Sequence, residues 1–217
     1  MKKLDFIDNS KIQTSGSQSL ITPNMAVEML KTGNKRFLKC ERLDRKLDRQ
    51  IAQTAEGQFP FAVVLSCIDS RIPTEIIFDQ GIGDIFNVRI AGNFVNEDIL
   101  GSMEFACKLA GAKLVVVMGH TSCGAVKGAC DNVQAGNLTQ LLGKLMPAVL
   151  STKTKHDEDR TSNNPGFVNR VAVRNVEQTM ENINAQSPIL HELYNRGEID
   201  IVGAMYDVGN GKVEFLK

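Results

Sequence analysis

Two short, wholly apolar runs constrain this chain more than any other feature. Phe61, Ala62, Val63, Val64 and Leu65 follow Pro60 without a polar interruption. Leu114, Val115, Val116, Val117 and Met118 follow Lys113 in the same way. A strand with one wet face alternates apolar and polar residues. A strand with no polar position is covered on both faces, as are the central strands of a parallel sheet. Further strands are expected over residues 84–88, 199–206 and 212–216, the last two joined by the turn chemistry of Gly209, Asn210 and Gly211.

Helical patterns fall between these strands. Thr22 followed by Pro23 reads as an N-cap and first helical residue, opening a helix to about Cys40. A more charged helix is expected over residues 43–56, and neither of these two has an evident partner for its apolar stripe within the chain. Asn96 can cap a helix to about Ala110, with Glu97 and Asp98 well placed in its first turn. Others are expected over residues 123–134, 138–150, 168–184 and 188–196, with a polar loop over 151–166. Strand alternating with helix predicts an α/β fold, a mostly parallel central sheet flanked by helices. Residues 1–21 are polar and aperiodic and read as a weakly ordered arm, leaving residues 22–217 as a single domain.

Bulk properties narrow the function. Lys plus Arg and Asp plus Glu both number 25, which gives no electrostatic footprint for nucleic acid or an anionic membrane. Asp5, Asp8, Asn9 and Lys11 interrupt any apolar leader segment, so a cytoplasmic location is expected. The five cysteines, Cys40, Cys67, Cys107, Cys123 and Cys130, are odd in number and irregularly spaced, a poor disulfide framework.

Two segments are chemically loaded, and each follows a buried strand, where ligand sites of open α/β sheets gather. The first is Ser66-Cys67-Ile68-Asp69-Ser70-Arg71; the second is Gly119-His120-Thr121-Ser122-Cys123-Gly124. Cys67, His120 and Cys123 would make a Cys₂His set for zinc with a fourth position open to water, the pattern of a catalytic site. Cys123 is expected at a helix N-terminus, where free N–H groups favour thiolate, and Gly124 leaves room for the backbone to approach an anion. Asp69 and Arg71 can pair directly in a tight turn, keeping Asp69 ionised as an acceptor for the nucleophile. Taken singly, each feature has an ordinary reading: a core cysteine, a packed histidine, a structural ion pair. On pattern alone both readings stand, and only the joint occurrence after two neighbouring strands points to zinc. Cys40, Cys107 and Cys130 read as packing residues, and His156 and His191 as solvated surface residues rather than proton relays.

The segments Cys67-Ile68-Asp69-Ser70-Arg71, Asn87-Val88-Arg89 with Ala91-Gly92-Asn93, Ser102-Met103-Glu104, and Gly119-His120-Thr121-Ser122-Cys123-Gly124 together resemble the motifs of β-class carbonic anhydrases, in order and spacing, over roughly residues 20–208. The resemblance implies Zn²⁺ on Cys67, His120 and Cys123, an Asp69–Arg71 catalytic dyad, and reversible hydration of carbon dioxide to bicarbonate and a proton. It also implies a homodimer or homotetramer whose N-terminal helices pack on a partner subunit, with active sites at the interface. The plant-like open type carries a glutamine nine residues before the first cysteine, here Gln58. The other type carries a tryptophan three residues before it, where this chain has Val64. The resemblance further implies a substrate pocket drawing on Gln58, Phe86, Ala91, Phe105 and Gly124. A carbonyl sulfide or carbon disulfide hydrolase would use the same ligands, so pocket shape decides between these activities. A non-catalytic zinc- or bicarbonate-binding module is disfavoured by the intact ligand set and dyad, and a thiol redox protein by the lack of Cys-x-x-Cys.

Overall fold

The computed structural model describes residues 8–216. In chain order the elements are α1 (Ser15–Leu20), α2 (Pro23–Lys39), α3 (Leu47–Thr54), β1 (Ala62–Ser66), α4 (Thr74–Ile77), β2 (Ile85–Arg89) and α5 (Glu97–Glu104). A π-helical turn (Phe105–Leu109) continues α5. Then come β3 (Leu114–His120), α6 (Gly124–Cys130), α7 (Gly136–Gly143), α8 (Met146–Ser151), α9 (Pro165–Gln186), α10 (Pro188–Asn195), β4 (Asp200–Tyr206) and β5 (Val213–Phe215). The sheet order is β2-β1-β3-β4-β5, parallel except for the β4–β5 hairpin.

The apolar runs behave as their composition requires. Every residue of β1 and β3 is buried. Val63, Leu65, Val115 and Val117 face a layer containing Ile99, Met103, Leu190 and Leu193. Ala62, Val64, Leu114, Val116 and Met118 face the other layer, with Met29, Leu30, Ile77 and Phe167. Caps set the helix starts: the Thr22 side chain accepts from Met25 N, Asn164 from Phe167 N and Ser187 from Leu190 N, each followed by proline at the first helical position.

The described part of residues 1–21 is not a loose arm. A capping box between Thr14 and Ser17 starts α1, and Gln18 donates through Nε2 to the carbonyls of Pro60 and Ala110 at 2.7 and 2.8 Å. Residues 1–7 lie outside the described residues. Nor does α2 lack a partner within the chain. It buries Ala26, Met29 and Leu30 in the chain's own core, and Gly33 lets it approach so closely that a Cβ would stand 1.7 Å from the Phe78 carbonyl oxygen. Asn34 donates to the Ile77 and Gly211 carbonyls and accepts from Val213 N, tying α2 to the β4–β5 hairpin. On α3, by contrast, Leu47 and Ile51 are left 51% and 61% exposed. That helix is shorter than residues 43–56 because Arg45 leaves the helical path to pair with buried Asp79 at 2.7 Å. The single helix expected over residues 138–150 is two, α7 and α8. Cys40 is exposed as the left-handed C-cap of α2, so it does not pack; Cys107 is buried and Cys130 half-buried.

Asp84, just before β2, is buried with one oxygen accepting from Gly81 N and the other without a partner among the described residues. Burial pushes its carboxyl up from 3.8 to about 6. The native state therefore holds this proton more tightly than the unfolded chain. Stability from this group is full below pH ~4 and is lost as pH rises through about 6, a change of about 3 kcal/mol. Urea unfolding of Asp84→Asn is expected to lack this segment of pH dependence. An unchanged wild-type slope in the variant would refute the assignment.

Candidate metal centre

The parallel register places the site. Ser66, the last residue of β1, pairs with Met118, and β3 runs two residues further to His120. Cys67 leaves β1 where the imidazole ends β3, and the turn after β3 returns Cys123 to the same point. The ligand atoms of Cys67, His120 and Cys123 lie within 4.8 Å of one another, all three residues buried. The two sulfurs are 4.0 Å apart. A tetrahedral zinc with Zn–S bonds near 2.3 Å separates its sulfurs by roughly 3.8 Å, so the spacing fits.

The imidazole is set for a metal. His120 Nδ1 lies 2.9 Å from the Thr121 carbonyl, which can only accept, so Nδ1 carries the proton. Nε2 keeps its lone pair and is buried without a hydrogen-bond partner among the described residues. An unpaired buried nitrogen beside two thiols is costly unless an ion takes it.

The thiols share a proton. Hydrogen bonding from Cys123 holds Cys67 well below the ordinary thiol range against the cost of burial, helped by the Gly92 and Asp69 N–H groups. The same sharing, together with burial, pushes Cys123 up, while the Ala125 and Val126 amides at the start of α6 oppose that rise. Cys123 is the N-cap of α6, as expected.

Asp69 and Arg71 form a bidentate pair: Nε donates to Oδ1 at 2.9 Å and Nη2 to Oδ2 at 2.7 Å, with the Arg71 N–H on Oδ1 at 3.0 Å. Arg71 holds the Asp69 carboxyl well below the usual carboxylate range. Asp69 Oδ2 stands 4.0 Å from His120 Nε2, at the edge of the ligand triangle and outside the three-residue set. Arg89 fixes the backbone beneath, donating to the carbonyls of Cys67 at 3.0 Å and Asp69 at 2.6 Å. The loop after β3 is gripped from the hairpin: Thr121 N donates to the Tyr206 carbonyl, and Val208 N to Thr121 Oγ1. Ser122, at φ +55°, donates its N–H to Asn169 Oδ1 on α9.

The expected substrate residues do not all gather here within one chain. Ala91 is half-buried beside Gly92, whose N–H reaches Cys67 Sγ. Gly124 begins α6 with open space where a Cβ would stand. Phe86 and Phe105 meet edge to face, 6.2 Å between ring centres, in a groove shared with Arg89 and Glu97. Gln58 is exposed in a separate groove with Thr54 and Ile82. Neither groove is lined by a metal-ligand candidate. Pattern reading assigned no site role to Arg89 and Asn169. The signal for Arg89 was its place in the Asn87-Val88-Arg89 segment at the end of a strand; nothing marked Asn169.

A doubly covered, mostly parallel sheet carrying a Cys₂His set and an adjacent aspartate–arginine pair at its strand ends defines an α/β protein with a candidate metal centre. The family model described as carbonic anhydrase matches residues 62–213. Carbonic anhydrase 2 of Mycobacterium tuberculosis is 36% identical over 197 residues, covering 88% of this chain and 91% of that protein. The β-carbonic anhydrase CafA of Aspergillus fumigatus superposes with a TM-score of 0.69 at 29% identity, covering 78% of this chain and 81% of that one. One of two tetrameric β-carbonic anhydrases from Sordaria macrospora gives 0.69 at 25% identity, covering 78% and 90%. The chain belongs to the β-carbonic anhydrase family.

Two outcomes test the site. Cys123→Ser is expected to lose most bound zinc, measured by metal analysis of purified protein; full occupancy would remove Cys123 from the ligand set. Arg71→Ala is expected to keep zinc but lose on the order of 10- to 100-fold in turnover, because Asp69 is no longer held off the ligands. Wild-type turnover in that variant would show the pair to be structural only.

Proposed function

We propose that this chain catalyses the reversible hydration of carbon dioxide to bicarbonate and a proton, with zinc held by Cys67, His120 and Cys123. The observation that carries the reading is the buried ligand triangle with an ionised, arginine-locked carboxylate at its edge. Bound there, zinc would supply Lewis acidity and a water acidic enough to lose its proton near neutral pH. Asp69 accepts a hydrogen bond from the attacking water and so fixes where its lone pair points. Arg71 keeps that carboxylate ionised and prevents it from turning onto the ligands, which supports an open site. Val64, three residues before Cys67, is fully buried in the sheet core. The released proton passes to buffer: His156 pairs with Asp157 in the exposed loop and His191 with Asn195 on α10.

The substrate side is completed between two copies of the chain in this reading. Gln58, Phe86 and Phe105 stand apart from their own chain's triangle, and Phe105, Leu47 and Ile51 are exposed. A homodimer, or a tetramer built from it, brings these residues of one copy toward the Ala91 and Gly124 side of the other. Five free cysteines, two of them paired at the site, suit a reducing compartment, which supports a cytoplasmic location.

Stopped-flow hydration of carbon dioxide, with and without zinc chelation and beside carbonyl sulfide, tests the activity. Chelator-sensitive carbon dioxide turnover is expected to dominate; turnover of carbonyl sulfide alone would move the chain to the hydrolase reading. For the assembly, Leu47→Glu with Ile51→Glu is expected to lower the mass seen by light scattering and to reduce activity. A fully active monomer would contradict the shared site.

A further inference from the structure

We propose that Asn175 is a positioning residue for the metal centre: its amide holds Gly92 so that the Gly92 N–H is delivered to the Cys67 sulfur. This inference rests on the assignment of Cys67 as a ligand. α9 lends none of the three ligand candidates, yet its buried stripe of Val168, Val171, Ala172, Val176 and Ile183 is interrupted, beside the small hydroxyl of Thr179, by an asparagine only 3% exposed. A buried amide is costly in such a row unless it is hydrogen-bonded. Its Nδ2 donates to the Gly92 carbonyl at 2.8 Å, and that bond is buried. Gly92 in turn places its N–H 3.5 Å from Cys67 Sγ.

Gly92 is confined from the other side as well. It stands at φ +82°, and a Cβ there would meet Leu145 Cδ1 at 2.7 Å. The residue is therefore gripped between Leu145 and Asn175 in a conformation that only glycine adopts readily, and its amide has one direction to point. An N–H on a thiolate draws charge from the sulfur. It so tunes how strongly that sulfur donates to a metal and how firmly it is held.

Protein loaded with 113Cd in place of zinc gives a readout independent of catalysis. Cys67 β-protons are expected to couple to the metal through bonds, and the Gly92 amide proton to couple through the hydrogen bond. In Asn175→Leu, nearly the same volume without the donor, the Gly92 coupling is expected to vanish. Zinc release to a chromophoric chelator should then quicken on the order of 10- to 100-fold. Ile183→Ala, further along the same buried face, is expected to lower stability while leaving coupling and release unchanged. Cys67 coupling without Gly92 coupling in the wild type overturns the proposal, even where Asn175→Leu fails to fold. So does a folded Asn175→Leu with wild-type coupling and release. Absence of Cys67 coupling removes the metal assignment itself, and the proposal with it.

Discussion

The parallel pairing of β1 with β3 is the constraint on which the rest depends. Its register, Leu65 on Val117 and Ser66 on Met118, ends β1 two residues before β3 ends. A thiol just past one strand and an imidazole at the tip of the other then share one point without a specially built loop. A slip of one residue in that ladder would turn one strand over relative to the other, sending its side chains from the layer with α5 and α10 to the layer with α2. The register that pairs the two strands therefore also sets the distance between the ligands.

Around that point the protein uses a sequence of polar contacts, each restraining the next. Thr121 sets the tautomer of His120, the hairpin sets Thr121, and Asn34 on α2 sets the hairpin. On the other side Arg89 sets the backbone of Cys67 and Asp69, and Arg71 sets the Asp69 carboxylate. Most of these partners are backbone groups. Their energies are modest one by one, about 1 kcal/mol net each; those of His120, Cys67 and Thr121 are partly shielded from water and that of Asn34 is buried, while the Asp69 contacts are exposed. The outcome is an ordered place for an ion, with one nitrogen inside it that finds no partner among the described residues.

This pattern of restraint explains what was legible in the sequence. Buried parallel strands announce themselves by composition, and Cys67, His120, Cys123, Asp69 and Arg71 by residue type directly after such strands. The caps of α2 and α5 were legible for the same local reason. What escaped was long-range. The order in residues 8–21 comes from Gln18 reaching Pro60 and Ala110, and the shortening of α3 from Arg45 reaching Asp79. The burial of α2 in its own chain depends on Phe78 coming close to Gly33. The placement of Gln58, Phe86 and Phe105 away from the triangle is likewise a matter of tertiary geometry, which no local spacing encodes.

The hydrogen bond from Val213 N to Asn34 Oδ1 joins residues 179 positions apart. Along with Thr121 and Val208, it means that the loop bearing His120 and Cys123 is braced by a segment that follows it far along the chain. During synthesis β1 and β3 can pair and bring Cys67 near His120 while the bracing hairpin is still inside the exit tunnel. A half-built pair of thiols is then presented to the cell before its final geometry exists. The final spacing of the ligand set accordingly waits for the β4–β5 hairpin to close on β3, long after the two strands that carry Cys67 and His120 have met.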